Sequence, residues 1–271
     1  MWTHAAWQEQ QPAPAERLRH YASWCTAVEG NTTFYATPTR GTVESWAKQT
    51  GTEFRFVIKL PKPITHERRL HGAEAELRTF LNAMEPLGPR IHALWVQLPG
   101  SFGPTDLGTL AGFLRALPES YRSAVEVRHP AFFENESAAQ QLEHMLARVG
   151  AEWVPFDTTT LFDGPAESAA EAEARAKKPR VPRRTGALTE FPIVRYHGRD
   201  STERTVAGWQ PWIGIVTEWL REGRSPTVFL HTPDNASALH LARRFHDEVR
   251  ARLPELEPLP EPIPTEPMTL F

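Results

Sequence analysis

Cysteine is almost missing from this chain: Cys25 is the single one among 271 residues. One thiol rules out an internal disulfide and any cysteine-rich zinc site. A run of about eighteen apolar residues is missing too, so no membrane-spanning helix is expected. Neither sign of charge dominates. Lys and Arg number 30 against 33 Asp and Glu, a net charge of −3. That excludes a globally basic surface for non-specific nucleic-acid binding and leaves only a local basic patch to consider. Met1-Trp2-Thr3-His4 lacks the basic and apolar regions of a secretory signal, and a cytoplasmic protein is the expectation. Several chemical signatures are absent as well. There is no GxGxxG, no GxxxxGK followed by Ser or Thr, no HExxH and no GxSxG elbow.

What is present is a regular alternation. Hydrophobic residues make up 40% and charged residues 23%, as in an ordinary globular chain. The length suits one large α/β domain or two small ones. Short β-rich runs occur at 27–31, 54–59, 93–97, 124–128, 153–156, 193–197 and 227–231. The run at 153–156 is weakened by Pro155, which has no N–H for a ladder. Between them lie helical stripes, for example Leu18, Tyr21, Ala22 and Cys25, or Leu77, Phe80, Leu81 and Met84. Ser137 with Gln140 three later predicts a capping box. Seven strands at βα spacing imply a parallel sheet with helices outside, and a TIM-type (β/α) barrel takes about 250 residues. The eighth strand would fall at Met1–Trp7, where Trp2, Thr3, His4 and Trp7 read as the tail of an incomplete first strand. The expected organisation is one domain over 1–253, with an inserted charged loop at 163–184. A Pro-rich tail, extended and without chemistry of its own, covers 254–271. The insert reads as a solvated surface segment or as a cover whose arginines meet an anion.

The strand ends carry the chemistry. Glu29/Asn31, Glu126/Arg128 and Arg195/His197 are i, i+2 pairs, so each pair shares one strand face. With Lys59, Gln97, Asp157 and His231 they make apolar strands that turn polar at their C-terminal residues, where barrel sites form. The competing reading is a closed layer of ion pairs plugging the interior.

The stretches Val28–Tyr35, Phe54–Leu60 with Ile64–Leu70, Val96-Gln97-Leu98-Pro99 and Val125–Pro130 together resemble the YecE-like family, the domain of unknown function 72. Arg195-Tyr196-His197-Gly198 and the strand ending at His231 match in order and spacing. The resemblance runs from about Ala15 to Leu253 and implies a TIM-barrel-like fold. It implies no reaction. The chain departs from the family's pattern before Trp2, where a glycine-containing first strand is absent. It departs again at Leu230-His231-Thr232-Pro233-Asp234, where aromatic and asparagine residues are more usual.

Charge type narrows the function. Arginine grips carboxylate or phosphate, so an anionic small molecule is the expected substrate. The candidate catalytic residues are Glu29, Lys59 and Glu126, as acids and bases. The candidate substrate-binding residues are Asn31, Tyr35, His66, Gln97, Arg128, Asp157, Arg195 and His197. No cofactor is expected. A divalent metal on Glu29, Glu126, Asp157, His197 and His231 is the competing idea, which would make a phosphodiesterase or nuclease with Arg175–Arg184 on a nucleic-acid backbone. A non-catalytic small-molecule-binding protein is a third. Trp209 and Trp212 read as core or as pocket lining; His66 and His129 read first as loop-fixing residues.

Overall fold

Six of the seven β-rich runs each become one strand and the seventh splits into two, and all the strands pair in parallel. The computed structural model describes residues 4–7 and 12–263. The strands are β1 Ala27–Gly30, β2 Arg55–Lys59, β3 Ile91–Gln97, β4 Ser123–Glu126, β5 Glu152–Trp153, β6 Phe156–Asp157, β7 Ile193–His197 and β8 Thr227–His231. One sheet has the order β1-β2-β3-β4-β5, the other β6-β7-β8. The helices are α1 Arg17–Trp24, α2 Thr32–Tyr35, α3 Arg40–Gln49, α4 Glu74–Met84, α5 Leu107–Ala116, α6 Ala131–Glu134, α7 Glu136–Arg148, α8 Ala169–Lys177, α9 Thr202–Arg221 and α10 Ala238–Arg250. This is an α/β fold with parallel sheets, whose consecutive strands are linked through helices except at β5 and β6.

Three local expectations are corrected. The run at 153–156 is not one strand: Pro155 cannot donate, and the ladder breaks into β5 and β6 around Val154-Pro155. The break stays hydrogen-bonded, Val154 N donating to Val125 O and Arg195 N to Pro155 O, each at 2.9 Å. The expected first strand is not seen at Ala5–Trp7, which form a 3-10 turn whose Ala5 N bonds Ala236 O. Met1–Thr3 lie outside the described residues. Finally, α7 is capped by Asn135, whose side chain accepts from Ala138 N, and not by Ser137. Asn135 keeps the extended backbone that an N-cap needs, whereas Ser137 is already inside the helix.

The strand faces sort the apolar residues into two layers. On one face Phe56, Ile58, Leu94, Val96 and Val125 pack against Phe80, Leu110, Leu114 and Leu142 from the helices. On the other, Val57, Ala93, Trp95, Ala124, Val154, Ile193 and Phe229 meet in a single cluster, with Ala27 against it. That cluster draws on β1, β2, β3, β4, β7, β8 and the β5–β6 link, and β1 lies against β8. A third cluster ties Tyr196 to Trp209, Trp212, Ile213 and Phe245 of α9 and α10. Here Gly208 is required: a Cβ would sit 2.1 Å from Thr160 Oγ1 and 2.6 Å from the Tyr196 hydroxyl. Trp209 and Trp212 are therefore core residues, their indole N–H groups given to Glu248 and Asp157. No helix among the described residues is long and apolar enough to cross a membrane.

The 163–184 segment carries α8, capped by Ser168. Its Glu171 is buried and pairs with the buried Arg199 at 2.8 Å. Arg183 Nε reaches Asp157 at 2.7 Å, so one arginine of the insert does meet an anion, but a carboxylate of the chain itself. In the tail, Leu256 packs against the α9–α10 cluster, and the carbonyls of Leu259 and Pro260 accept from Arg243. Residues 264–271 lie outside the described residues.

Candidate functional site

Side chains alternate along a strand, so the residues two beyond the inner apolar cluster face the same interior. Two past Ala27 is Glu29; past Val57 is Lys59; past Ala124, Glu126; past Val154, Phe156; past Ile193, Arg195; past Phe229, His231. These residues are in contact. Lys59 Nζ lies 2.6 Å from Glu29 Oε1, and Arg195 Nη2 lies 2.9 Å from the same oxygen. Arg195 Nη1 is 3.4 Å from Glu126 Oε2, while Arg128 Nη2 holds Glu126 Oε1 at 2.7 Å. His231 Nε2 is 2.9 Å from Glu29 Oε2. Asn31 Oδ1 accepts from Lys59 Nζ at 3.1 Å. The Trp95 ring underlies both Lys59 and Arg195, and Phe156 is flanked by Arg128 and Arg195.

The electrostatics follow from burial and neighbours. Burial alone would raise the Glu29 carboxyl, but Arg195, Lys59 and His231 outweigh it and hold it well below the carboxylate range. Glu126, fully buried, is likewise lowered, by Arg128 and then Arg195 against its burial. Burial, then the Arg195 charge, lowers Lys59 to about 8 despite Glu29. The imidazoles of His197 and His231 are pushed down, first by burial, and are neutral near pH 7. Their rings stack at 4.8 Å. An ionised Glu29 can only accept, so its bond to His231 requires the proton on Nε2. That leaves Nδ1 of His231 as an acceptor, in a side chain 21% exposed.

A further residue joins from the insert. Thr158 Oγ1 donates to Pro179 O and accepts from Val181 N, which pins the end of the insert beside β6. Half-buried Lys178 there feels burial first, then Arg195 and Arg128, and its pKa falls. Among the described residues it has no carboxylate partner at ion-pair distance, Glu173 acting on it only from further off. Neither Lys178 nor His231 is among the candidate catalytic and binding residues that the sequence offers. A basic run in an insert gives no sign of which lysine turns inward. His231 carried a signal, its place at the last residue of a strand.

Of the other expected residues, Gln97 shares the interior with Glu126 while several stand apart. Asp157 pairs in register with Tyr196, not with Arg195, so it faces away from the cluster. It is spent on Thr159, Arg183 and Trp212. The inward residue of β6 is its neighbour Phe156. Gln97 is buried level with Glu126 on β3. His66 lies at the rim, hydrogen-bonded to Thr65 Oγ1 and edge-on to Phe34; burial, then Arg128, lowers it to about 4. Tyr35 is exposed on α2. His129 fixes its loop, accepting from Ala131 N. Among the described residues no group of three or more His, Cys, Asp or Glu is placed to hold a metal ion. Of the five residues in the competing metal reading, Glu29 and Glu126 are taken up by Lys and Arg, and Asp157 points elsewhere. Two surface hollows lie away from the cluster, one beside α10 and one at the N-terminal ends of β3, β4 and β7.

Fold and cluster together define an α/β protein of parallel strands with a mixed-charge centre at their C-terminal ends. Within that class, a family model described as "Protein of unknown function DUF72" matches residues 1–266, and the chain belongs to this family. The UPF0759 proteins YecE of Escherichia coli O157:H7 and of Escherichia coli strain K12 are each 36% identical to it over 259 residues, covering 96% of this chain and 94% of theirs. Two crystal structures of a DUF72 family protein from Enterococcus faecalis V583 share its fold, with TM-scores of 0.62 and 0.65 at 21% and 20% identity. They cover 88% and 98% of this chain and 94% and 95% of their own.

Proposed function

We propose that this chain is a TIM-type barrel enzyme that binds a small molecule through a phosphate or carboxylate group, at the C-terminal ends of its strands. The inner cluster shared by both sheets supports the barrel, as does the seating of Glu29 of β1 on Arg195 and His231 of β7 and β8. The observation that carries the anion is a charge imbalance. Lys59, Arg128, Lys178 and Arg195 are four cations around two carboxylates, Glu29 and Glu126, an excess of two. Glu67 and Glu173 at the rim are paired with Lys62 and Lys177. A cation excess in a half-buried setting is costly unless a bound anion completes it.

Roles follow from accessibility and proton affinity. Arg128 and Lys178 hold the anion. His231, steered by Glu29 on its other nitrogen, is the base, in the manner of a carboxylate–imidazole pair. Lys59, lowered to about 8, is an acid that can return a proton near neutral pH. Glu126 has both oxygens engaged by arginines and serves to aim them. A second reading, a non-catalytic binding protein, draws on Lys59 being almost wholly buried behind its partners; a turnover assay on any ligand found separates the two.

The test is calorimetric titration with inorganic phosphate, ribose 5-phosphate and a small carboxylate such as citrate. At least one should bind, and Arg128→Met or Lys178→Met should each weaken it about tenfold or more, since a charge-assisted hydrogen bond contributes about 1.5–3 kcal/mol. Binding unaltered in both variants would remove the anion site.

A further inference from the structure

Tyr35 is 73% exposed, and among the described residues Ile263 is the only other large hydrophobic on the surface. Every other aromatic ring among the described residues has found some cover, so a ring left in water at this place calls for a reason. The place is the rim of the candidate site. The short helix α2 follows directly on β1, which carries Glu29, and it is stitched to the end of β2. Thr33 Oγ1 donates to Gly30 O and to Lys59 O, each at 2.7 Å, and Asn31 holds the Lys59 amine. Tyr35 thus rides on a turn fixed to the same residue that forms the floor of the site. Its ring meets Phe34 edge-on at 5.3 Å, and Phe34 meets His66 edge-on at 5.0 Å. From the insert, Lys177 lies within electrostatic reach of the Tyr35 hydroxyl while held mainly by Glu173. Lys178, the next residue, sees Arg128 and Arg195. One wall of the mouth is therefore aromatic and the other cationic.

The geometry points to a phosphate ester carrying a planar aromatic ring, of which a nucleoside monophosphate is the type, with its ring stacked on Tyr35 and its phosphate between Arg128 and Lys178. This deepens the anion-binding reading and rests on it. A flat ring is what an exposed, backed tyrosine face selects, since every nucleobase offers a π-surface for stacking. A sugar phosphate without a ring would use the cations and leave Tyr35 idle.

Calorimetric titration of the full chain with AMP, GMP, CMP, UMP and ribose 5-phosphate tests this. At least one nucleotide should bind about tenfold more tightly than ribose 5-phosphate, the worth of one stacking contact. Tyr35→Ala should remove that preference without altering ribose 5-phosphate affinity, and Tyr35→Phe should keep it. The proposal is overturned if no nucleotide outbinds ribose 5-phosphate, or if Tyr35→Ala keeps the preference, as expected of a tyrosine that serves a protein partner instead. If no phosphate compound binds at all, the anion-binding reading fails first and carries this one with it. Tyr35 is so exposed that the alanine variant should fold normally, and circular dichroism checks that.

Discussion

Replacing Arg195 by Met tests whether the central cluster is a mutually compensated network. The guanidinium bridges two buried carboxylates, at 2.9 Å to Glu29 and 3.4 Å to Glu126. Charge-assisted hydrogen bonds contribute about 1.5–3 kcal/mol each, and the longer one sits at the low end. Breaking a buried ion pair by removing one partner typically costs about 3–5 kcal/mol. Neither carboxylate is left bare, because Glu29 keeps Lys59 and His231 and Glu126 keeps Arg128. The expected loss is therefore about 3 kcal/mol, near the bottom of that range. With a urea m-value of about 3 kcal/mol/M, the midpoint should fall by about 1 M. Arg195 also repels the Lys59 ammonium and lowers its pKa. Without it, Lys59 should titrate above its present value of about 8, read by the pH dependence of amine modification in the folded protein. Urea unfolding of the variant beside Arg195→Lys is the assay. A loss below about 1 kcal/mol, within the range of surface pairs, together with an unmoved Lys59, would refute the argument. The charges would then be passengers on the apolar packing beneath them.

Two further outcomes are expected. Glu171→Gln strips the nearer carboxylate from the fully buried Arg199, which keeps the Asp163 and Pro165 carbonyls, the neutral amide and a longer approach to Glu167 at 3.7 Å; it should cost about 3 kcal/mol and open the 163–184 segment to trypsin at Arg175–Lys178, whereas unchanged cleavage kinetics would show that other contacts hold the insert. Stability should also fall on acidification below about pH 6.5, because His66 and His92 are each lowered to about 4, mainly by burial. Between those values the unfolded chain binds more protons than the folded one, so stability rises with pH there and levels off above. Glu29 and Glu126, lowered in the folded state, extend the loss further into acid. Urea midpoints from pH 4 to 8 check this, and a His92→Gln variant with an undiminished slope would exclude that histidine.

Much of this protein is decided along the chain itself. Alternating apolar strands and amphipathic helices set an α/β fold with parallel pairing, and the period of two puts Glu29 with Asn31, Glu126 with Arg128 and Arg195 with His197, with Lys59 at a strand end beside them. Those decisions are local, made by each residue's own backbone and immediate neighbours. The rest depends on partners distant in sequence. Pro155 divides a strand, while the alternation that carries Val154 inward turns Phe156 to the centre and Asp157 away from it, so an aromatic ring and not a carboxylate stands there. Lys178 becomes a rim cation only because Thr158 anchors the end of the insert. His231 gains its tautomer from Glu29, 202 residues away, and Glu171 leaves solvent only because Arg199 waits for it. Periodicity reports which face a side chain takes; only the packed chain decides which charge stands opposite, because desolvation and Coulomb attraction act through space and not along the sequence.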